Sequence, residues 1–127
     1  MTYGFSKSVD MTFDEAVEKV TAELQKEGFG VLTTIDVKET LKQKLNVDFK
    51  KYKILGACSP TFAYMALSAE EEIGLLLPCN VIVYEKNGKS VVAAFDPMAM
   101  TRVMENAAIE PIATEVKQRL ERVIAAV

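Results

Sequence analysis

Two apolar runs flank an Asn-Gly pair in the stretch Cys79-Asn80-Val81-Ile82-Val83-Tyr84-Glu85-Lys86-Asn87-Gly88-Lys89-Ser90-Val91-Val92-Ala93-Ala94-Phe95. Such a pair predicts a β-hairpin with a type I′ turn, because both residues adopt positive φ readily. A two-residue loop sets the register, with the pairs Lys86–Lys89, Tyr84–Val91, Ile82–Ala93 and Asn80–Phe95. Both faces of the hairpin are then largely apolar, which predicts central strands covered on both sides.

Upstream of the hairpin, the segment Ile54-Leu55-Gly56-Ala57-Cys58-Ser59-Pro60 predicts a strand that runs directly into a helix. Ser59 is a favourable N-cap, and Pro60 suits the first helical position because its missing N–H needs no partner there. Cys58 therefore precedes a helix N-terminus, where the helix dipole favours a thiolate. The only other cysteine is Cys79, which follows Pro78 at the entrance of the hairpin.

Capping signals and apolar periodicity predict the remaining elements. A strand over residues 2–8 precedes the capping box Thr12-Phe13-Asp14-Glu15, which begins a long amphipathic helix. A second strand over residues 29–35 leads to Asp36, which begins a short helix. After the hairpin, a short helix follows Asp96-Pro97, and a final helix begins near Pro111.

The predicted element order is β-α-β-α-β-α-β-β-α, with a short helix before the last one. The hairpin strands pair locally, whereas helices connect the other strands. This order predicts an α+β fold with a mixed β-sheet and helices packed on it. The length of 127 residues suits a single domain over residues 1–127 that buries one core.

Composition limits the possible partners. Charged residues make up 26% of the chain and the net charge is −3, so we expect no nucleic-acid partner. The short basic segment Lys50-Lys51-Tyr52-Lys53 is interpreted as a solvated strand entrance. No segment reads as a membrane span or a signal peptide, so we expect no membrane partner. A cytoplasmic location with reduced thiols is the resulting expectation.

The absence of histidine limits the possible chemistry. It excludes a Ser-His-Asp triad, a Cys-His dyad and His-based zinc sites within one chain. Two cysteines do not complete a structural zinc site, and the glycines form neither a P-loop nor a dinucleotide-binding pattern. We therefore expect no cofactor, and the sequence assigns no reaction.

Three segments together resemble a known family. They are Gly28-Phe29-Gly30-Val31-Leu32-Thr33-Thr34-Ile35-Asp36, Gly56-Ala57-Cys58-Ser59-Pro60 and Leu76-Leu77-Pro78-Cys79-Asn80-Val81. Nearly the whole chain resembles the domain of unknown function 302 family of small bacterial and archaeal proteins. This resemblance implies a compact α+β domain, commonly a dimer, with no established activity. It carries no catalytic residues over to this chain.

The first function hypothesis is a small-ligand-binding or interaction module. In it Cys58 and Cys79 serve packing, because free cysteine often behaves as a small buried hydrophobe. The candidate ligand-binding residues are Ser59, Asn80 and Asp36. Asn80 stands out because asparagine is depleted in strands and is unfavourable to bury without hydrogen-bond partners.

The alternative hypothesis is thiol-based redox chemistry or soft-metal binding by Cys58 and Cys79. Cys58 would be the catalytic nucleophile and Cys79 would resolve it, which requires the sulfurs to lie within disulfide reach. Antiparallel pairing of their strands would place the two sulfurs close together at one edge of the sheet. A soft ion such as Cu(I) suits two thiolates, with oxygen ligands from Asp36, Asn80 or Glu71 only if the fold brings them together.

Assembly is the last expectation from the sequence. Hydrophobic residues make up 50% of the chain, so some apolar surface should remain after one domain has folded. We therefore expect a homodimer. The methionine-rich segment 98–104 is the candidate interface, because methionine adapts to irregular surfaces.

Overall fold

The computed structural model describes residues 2–127. Five strands are β1 Gly4–Val9, β2 Gly30–Asp36, β3 Tyr52–Cys58, β4 Cys79–Lys86 and β5 Lys89–Phe95. Four α-helices are α1 Phe13–Lys26, α2 Val37–Leu45, α3 Pro60–Ala69 and α4 Ile109–Ala126. Two 3₁₀ helices span Glu71–Leu76 and Pro97–Arg102. The element order agrees with the predicted order, with one additional 3₁₀ helix after α3.

The five strands form one sheet in the order β1-β5-β4-β3-β2. The α+β class is confirmed, but the prediction of a mixed sheet is wrong, because all four strand pairs are antiparallel. The helices between neighbouring strands reverse the chain instead of carrying it across the sheet. After β3, for example, α3 and the following 3₁₀ helix return the chain to the end of the sheet that it left, so β4 runs the opposite way.

The hairpin has the predicted turn and register. Lys86 pairs with Lys89, and the pairing continues through Tyr84–Val91 and Ile82–Ala93. Asn87 and Gly88 have φ of 53° and 75°, as a type I′ turn requires. The register assigns Cys79, Val81 and Val83 to one face of the sheet, and Asn80, Ile82 and Tyr84 to the other.

Helices α1 and α4 cover the first of these faces. Val20, Leu24 and Leu120 are fully buried there against Val81 and Val83. On the opposite face Asn80 is exposed, and Ile82 and Tyr84 are only half-buried. The predicted cover on both sides is therefore wrong for this part of β4, although Val91 and Ala93 of β5 are buried. We call the side away from α1 and α4 the uncovered face.

The predicted caps show how local sequence begins the helices. The Thr12 hydroxyl accepts a hydrogen bond from the Glu15 amide at 3.2 Å, and the Glu15 carboxylate accepts one from the Thr12 amide at 3.1 Å. These bonds lower the pKa of Glu15, the backbone amide of Thr12 contributing most. The capping box is therefore present.

No helix among residues 2–127 has the length and apolar character to cross a membrane.

The methionines of the segment 98–104 do not form the exposed surface that the sequence suggested, although Val103 within the segment is exposed. Met100 is buried in a second, smaller core cluster with Ala66, Ile73 and Ile109, and Met104 packs against it. Thr114 of α4 donates a hydrogen bond to the Met98 sulfur at 3.5 Å. The methionines thus fill the space between α4 and the 3₁₀ helices.

Gly56 lies at a crowded point of the sheet. It pairs with Asn80 on one side and with Thr33 on the other. A β-carbon at this position would overlap Thr33 Oγ1 and lie 2.8 Å from Pro78 Cγ. Glycine is therefore required here because a side chain would not fit. The backbone at this residue has no positive φ, so conformational freedom is not the reason.

We predict that Gly56→Ala lowers the free energy of unfolding by about 1–3 kcal/mol, the usual range for overpacking. Gly30→Ala is the matched control, because a β-carbon there meets no atom within 4 Å. Urea unfolding followed by far-ultraviolet circular dichroism measures both variants. Equal urea midpoints for the two variants would show that Thr33 and Pro78 move away from the new β-carbon without a loss of stability.

Candidate functional site

A cavity of about 320 Å³ lies between the sheet and α3, at the end of the sheet where β3 stops and β4 begins. Its walls come from the sheet, from α3, from both 3₁₀ helices and from α4. Representative lining residues are Phe29, Ala57, Phe62, Ile73, Leu77, Met100, Ile109 and Val116. We call this space the apolar cavity.

The lining of the apolar cavity contains no charged side chain. Its polar side chains are the hydroxyls of Thr33 and Ser59 and the thiols of Cys58 and Cys79. Pockets for small molecules commonly have volumes of roughly 300–1,000 Å³ and a mostly apolar lining with a few polar groups. The cavity falls at the lower end of that range, so it suits a small ligand with few polar atoms.

Both cysteines line the apolar cavity because β3 and β4 are antiparallel. Cys58 is the last residue of β3 and Cys79 the first of β4, and Cys79 pairs directly with Ala57. The strands are antiparallel, as the expected closeness of the two sulfurs required, but the cysteine pair itself is not confirmed. Both residues are free thiols, so they form no covalent pair.

The two thiols differ in their surroundings. Cys79 is buried, with 7% of its surface exposed, whereas Cys58 is half-buried. Burial raises the pKa of Cys79 to about 11, and the neighbouring Cys58 adds a smaller contribution in the same direction. At neutral pH Cys79 is therefore a protonated thiol, and it resembles a packing residue more than a nucleophile.

Ser59 occupies the predicted N-cap position of α3, but its hydroxyl makes no capping hydrogen bond. Its backbone carbonyl accepts the first helical bond, from Ala63 N at 2.9 Å. The side chain is buried and lines the apolar cavity. A hydroxyl in this position can bind a polar atom of a ligand.

The structure does not bring Asp36 and Asn80 to the apolar cavity. Asp36 caps α2, where its carboxylate accepts a hydrogen bond from Glu39 N at 3.0 Å. Asn80 points to the uncovered face. Glu71 begins a 3₁₀ helix and is exposed. Within residues 2–127, no three acidic or cysteine side chains come together as a candidate metal site.

Most residues of the cavity wall were not identified as site residues from the sequence. Phe62 and Ala63 come from α3, and Met100 and Ile109 come from segments far along the chain. One local signal was available: residues 60–69 contain no charged side chain, although only Ala66 of α3 is buried. An uncharged helix that is not buried indicates a surface with a further role.

Comparison with known proteins agrees with this fold. The family model described as Domain of unknown function DUF302 matches residues 5–127. The chain is similar to a crystal structure of an uncharacterized conserved protein DUF302 from Bacillus stearothermophilus, with a TM-score of 0.91 and 29% sequence identity. That similarity covers 99% of this chain and 98% of the other. No curated protein matches the chain significantly.

We predict that iodoacetamide modifies Cys58 before Cys79 in the folded protein, across roughly pH 6 to 9, a range around the pKa of a free thiol. Cys79 is buried and its raised pKa keeps the thiolate scarce, so it should react only after unfolding. Peptide mass spectrometry after timed labelling measures each site, and labelling in urea is the control. Equal rates for the two thiols in the folded protein would contradict the prediction.

Proposed function

The chain belongs to the DUF302 family, for which no activity is established, and we propose that it is a small-ligand-binding module. The ligand is an uncharged, largely apolar molecule that occupies the apolar cavity. The observation that carries this proposal is the cavity itself: about 320 Å³ of space with no charged side chain in its lining.

The lining determines the ligand's charge. An ion that enters an apolar site without a partner loses its hydration and is strongly disfavoured. No lysine, arginine, aspartate or glutamate lines the cavity to compensate such an ion. The part of the ligand inside the cavity is therefore neutral, with at most one or two polar atoms bound by the Ser59 hydroxyl and the Cys58 thiol.

The volume determines the ligand's size. An engineered apolar cavity of about 150 Å³ in another protein accommodates benzene. The cavity here has about twice that volume and is partly open to solvent, so it matches a molecule with two to three aromatic rings or a hydrocarbon of comparable volume. Phe29 and Phe62 provide aromatic contacts for such a ligand.

We predict that the neutral dye N-phenyl-1-naphthylamine binds the protein and gains fluorescence. Its sulfonated relative 1-anilinonaphthalene-8-sulfonate should bind at least about tenfold more weakly, because nothing in the lining compensates the sulfonate. Fluorescence titration of the two dyes measures the difference. Tighter binding of the sulfonated dye would contradict an uncharged-ligand cavity.

A pair of alanine variants on α3 tests the location. Ala63 lines the cavity and Ala69 does not, so Ala63→Phe should abolish binding of the neutral dye, whereas Ala69→Phe should preserve it. Thermal unfolding shows whether both variants remain folded. Equal dye binding by the two variants would place the dye elsewhere.

The second candidate function is thiol-based redox chemistry, favoured by one observation: Cys58 and Cys79 line the same cavity. Two thiols would form a disulfide by passing two electrons and two protons to an oxidant such as a peroxide. The burial of Cys79 argues against fast exchange, since the thiolate is the reactive form.

The protein would operate in the cytoplasm, where a reducing environment keeps both thiols free.

A homodimer is the assembly that we propose, with the outer side of α3 as its contact. Tyr64 is 75% exposed, and Met65 beside it is exposed as well. The absence of charged residues from α3 supports a role of this surface in association.

We predict a solution mass near 28.0 kDa, twice the 14.0 kDa of the chain. Met65→Lys should reduce this mass to that of the monomer, because a charge would be buried at the contact. Val103→Lys is the control, since Val103 is exposed outside α3. Sedimentation equilibrium measures all three proteins. A monomeric mass for the unmodified chain at high micromolar concentration would exclude the dimer.

A further inference from the structure

A groove of about 610 Å³ runs along the uncovered face of the sheet, on the side of β4 opposite the apolar cavity. Among its lining residues are Phe49, Lys50, Tyr52, Asn80, Tyr84 and Lys86. We call it the aromatic groove. Two features that the proposed function does not use, Asn80 and the basic segment around Tyr52, both lie in it.

The aromatic rings form a stack at one end of the groove. Tyr52 and Tyr84 are cross-strand partners, and their rings are nearly parallel, 5.3 Å apart and inclined by 10°. Phe49 extends the group, with its ring centroid 6.3 Å from that of Tyr52. All three side chains are partly or fully exposed. A planar ring from a ligand can extend this stack, because aromatic faces bind other rings with little regard to their chemistry.

Positive charge lies at the same end. The Lys50 Nζ atom is 4.8 Å from the centroid of the Tyr84 ring, and Lys86 also lines the groove. Among the residues that the structure describes, no acidic side chain lines the groove. The ion pairs among residues 2–127 use other lysines and arginines, so no carboxylate neutralises either ammonium group.

We propose that the aromatic groove binds a small aromatic anion of the nucleoside monophosphate class. The base extends the Tyr52–Tyr84 stack from one of its outer faces, and Lys50 and Lys86 bind the phosphate. Asn80 lies about 13 Å along β4 from Tyr84, given the rise of a strand, so a ligand of this size does not reach it. The neutral ligand of the apolar cavity and this anion therefore occupy separate sites.

The probe is adenosine 5′-monophosphate, measured by isothermal titration calorimetry. Adenosine keeps the base but lacks the charge, and inorganic phosphate keeps the charge but lacks the base. The monophosphate should bind at least about tenfold more tightly than either, because stacking and charge-assisted hydrogen bonding each contribute about that factor. Its affinity should also fall with added salt.

Two lysine variants test the location with the same change of charge. Lys50→Gln should weaken binding of the monophosphate about tenfold, whereas Lys51→Gln should leave it unchanged, because Lys51 does not line the groove. Lys86→Gln should weaken binding as Lys50→Gln does. Tyr84→Leu should also weaken it about tenfold by removing the stack. Lys50 and Lys86 are exposed, so their variants keep the fold.

Several outcomes would overturn the proposal: no heat of binding at millimolar monophosphate, equal affinity for phosphate alone, or equal losses in the Lys50 and Lys51 variants. Binding of an oligothymidylate without binding of the monophosphate would also overturn it, in favour of single-stranded nucleic acid. Lys50→Gln should leave binding of N-phenyl-1-naphthylamine unchanged. A loss of binding at the aromatic groove can thus be distinguished from a loss of binding at the apolar cavity.

Discussion

The antiparallel pairing of β3 with β4 is the constraint on which the rest of the structure depends. It joins Ala57 to Cys79, and so it brings the end of one strand next to the beginning of the other. The connecting segment must leave and re-enter the sheet at the same end, which places α3 and the following 3₁₀ helix above that end. This connecting segment lies over the sheet without packing tightly against it, so the apolar cavity lies between the segment and the sheet.

The alternation of side chains along β4 separates two chemical environments. Cys79 faces the helices and borders a space without charge, whereas Asn80, the next residue, faces a groove that carries two lysines. A period of two residues thus assigns neighbouring positions to opposite sides of the sheet. Where the two environments adjoin, Thr33 and Pro78 lie so close to Gly56 that a β-carbon would not fit between them.

Features set by a few consecutive residues could be predicted from the sequence. The Asn87-Gly88 turn determined the hairpin register, and the Thr12 and Asp36 caps marked their helices, because turn and cap energies are local. The sheet's uncovered face and the cavity could not be predicted in this way. An apolar strand sequence does not reveal what covers it, and the cavity walls combine residues as distant as Phe29 and Ile109. Ser59 shows the same limit. It is a favourable capping residue, but its hydroxyl makes no capping hydrogen bond and its side chain lines the cavity.

The size of the apolar cavity argues that it serves binding. The cavity is partly open to solvent, and apolar walls that face water or empty space lack the contacts that a packed core would give them. Larger residues at Ala57, Ala63 or Ala113 would fill the space with ordinary side chains. A ligand that occupies the cavity recovers the lost contacts, so the alanines are compatible with a stable fold when the cavity is filled.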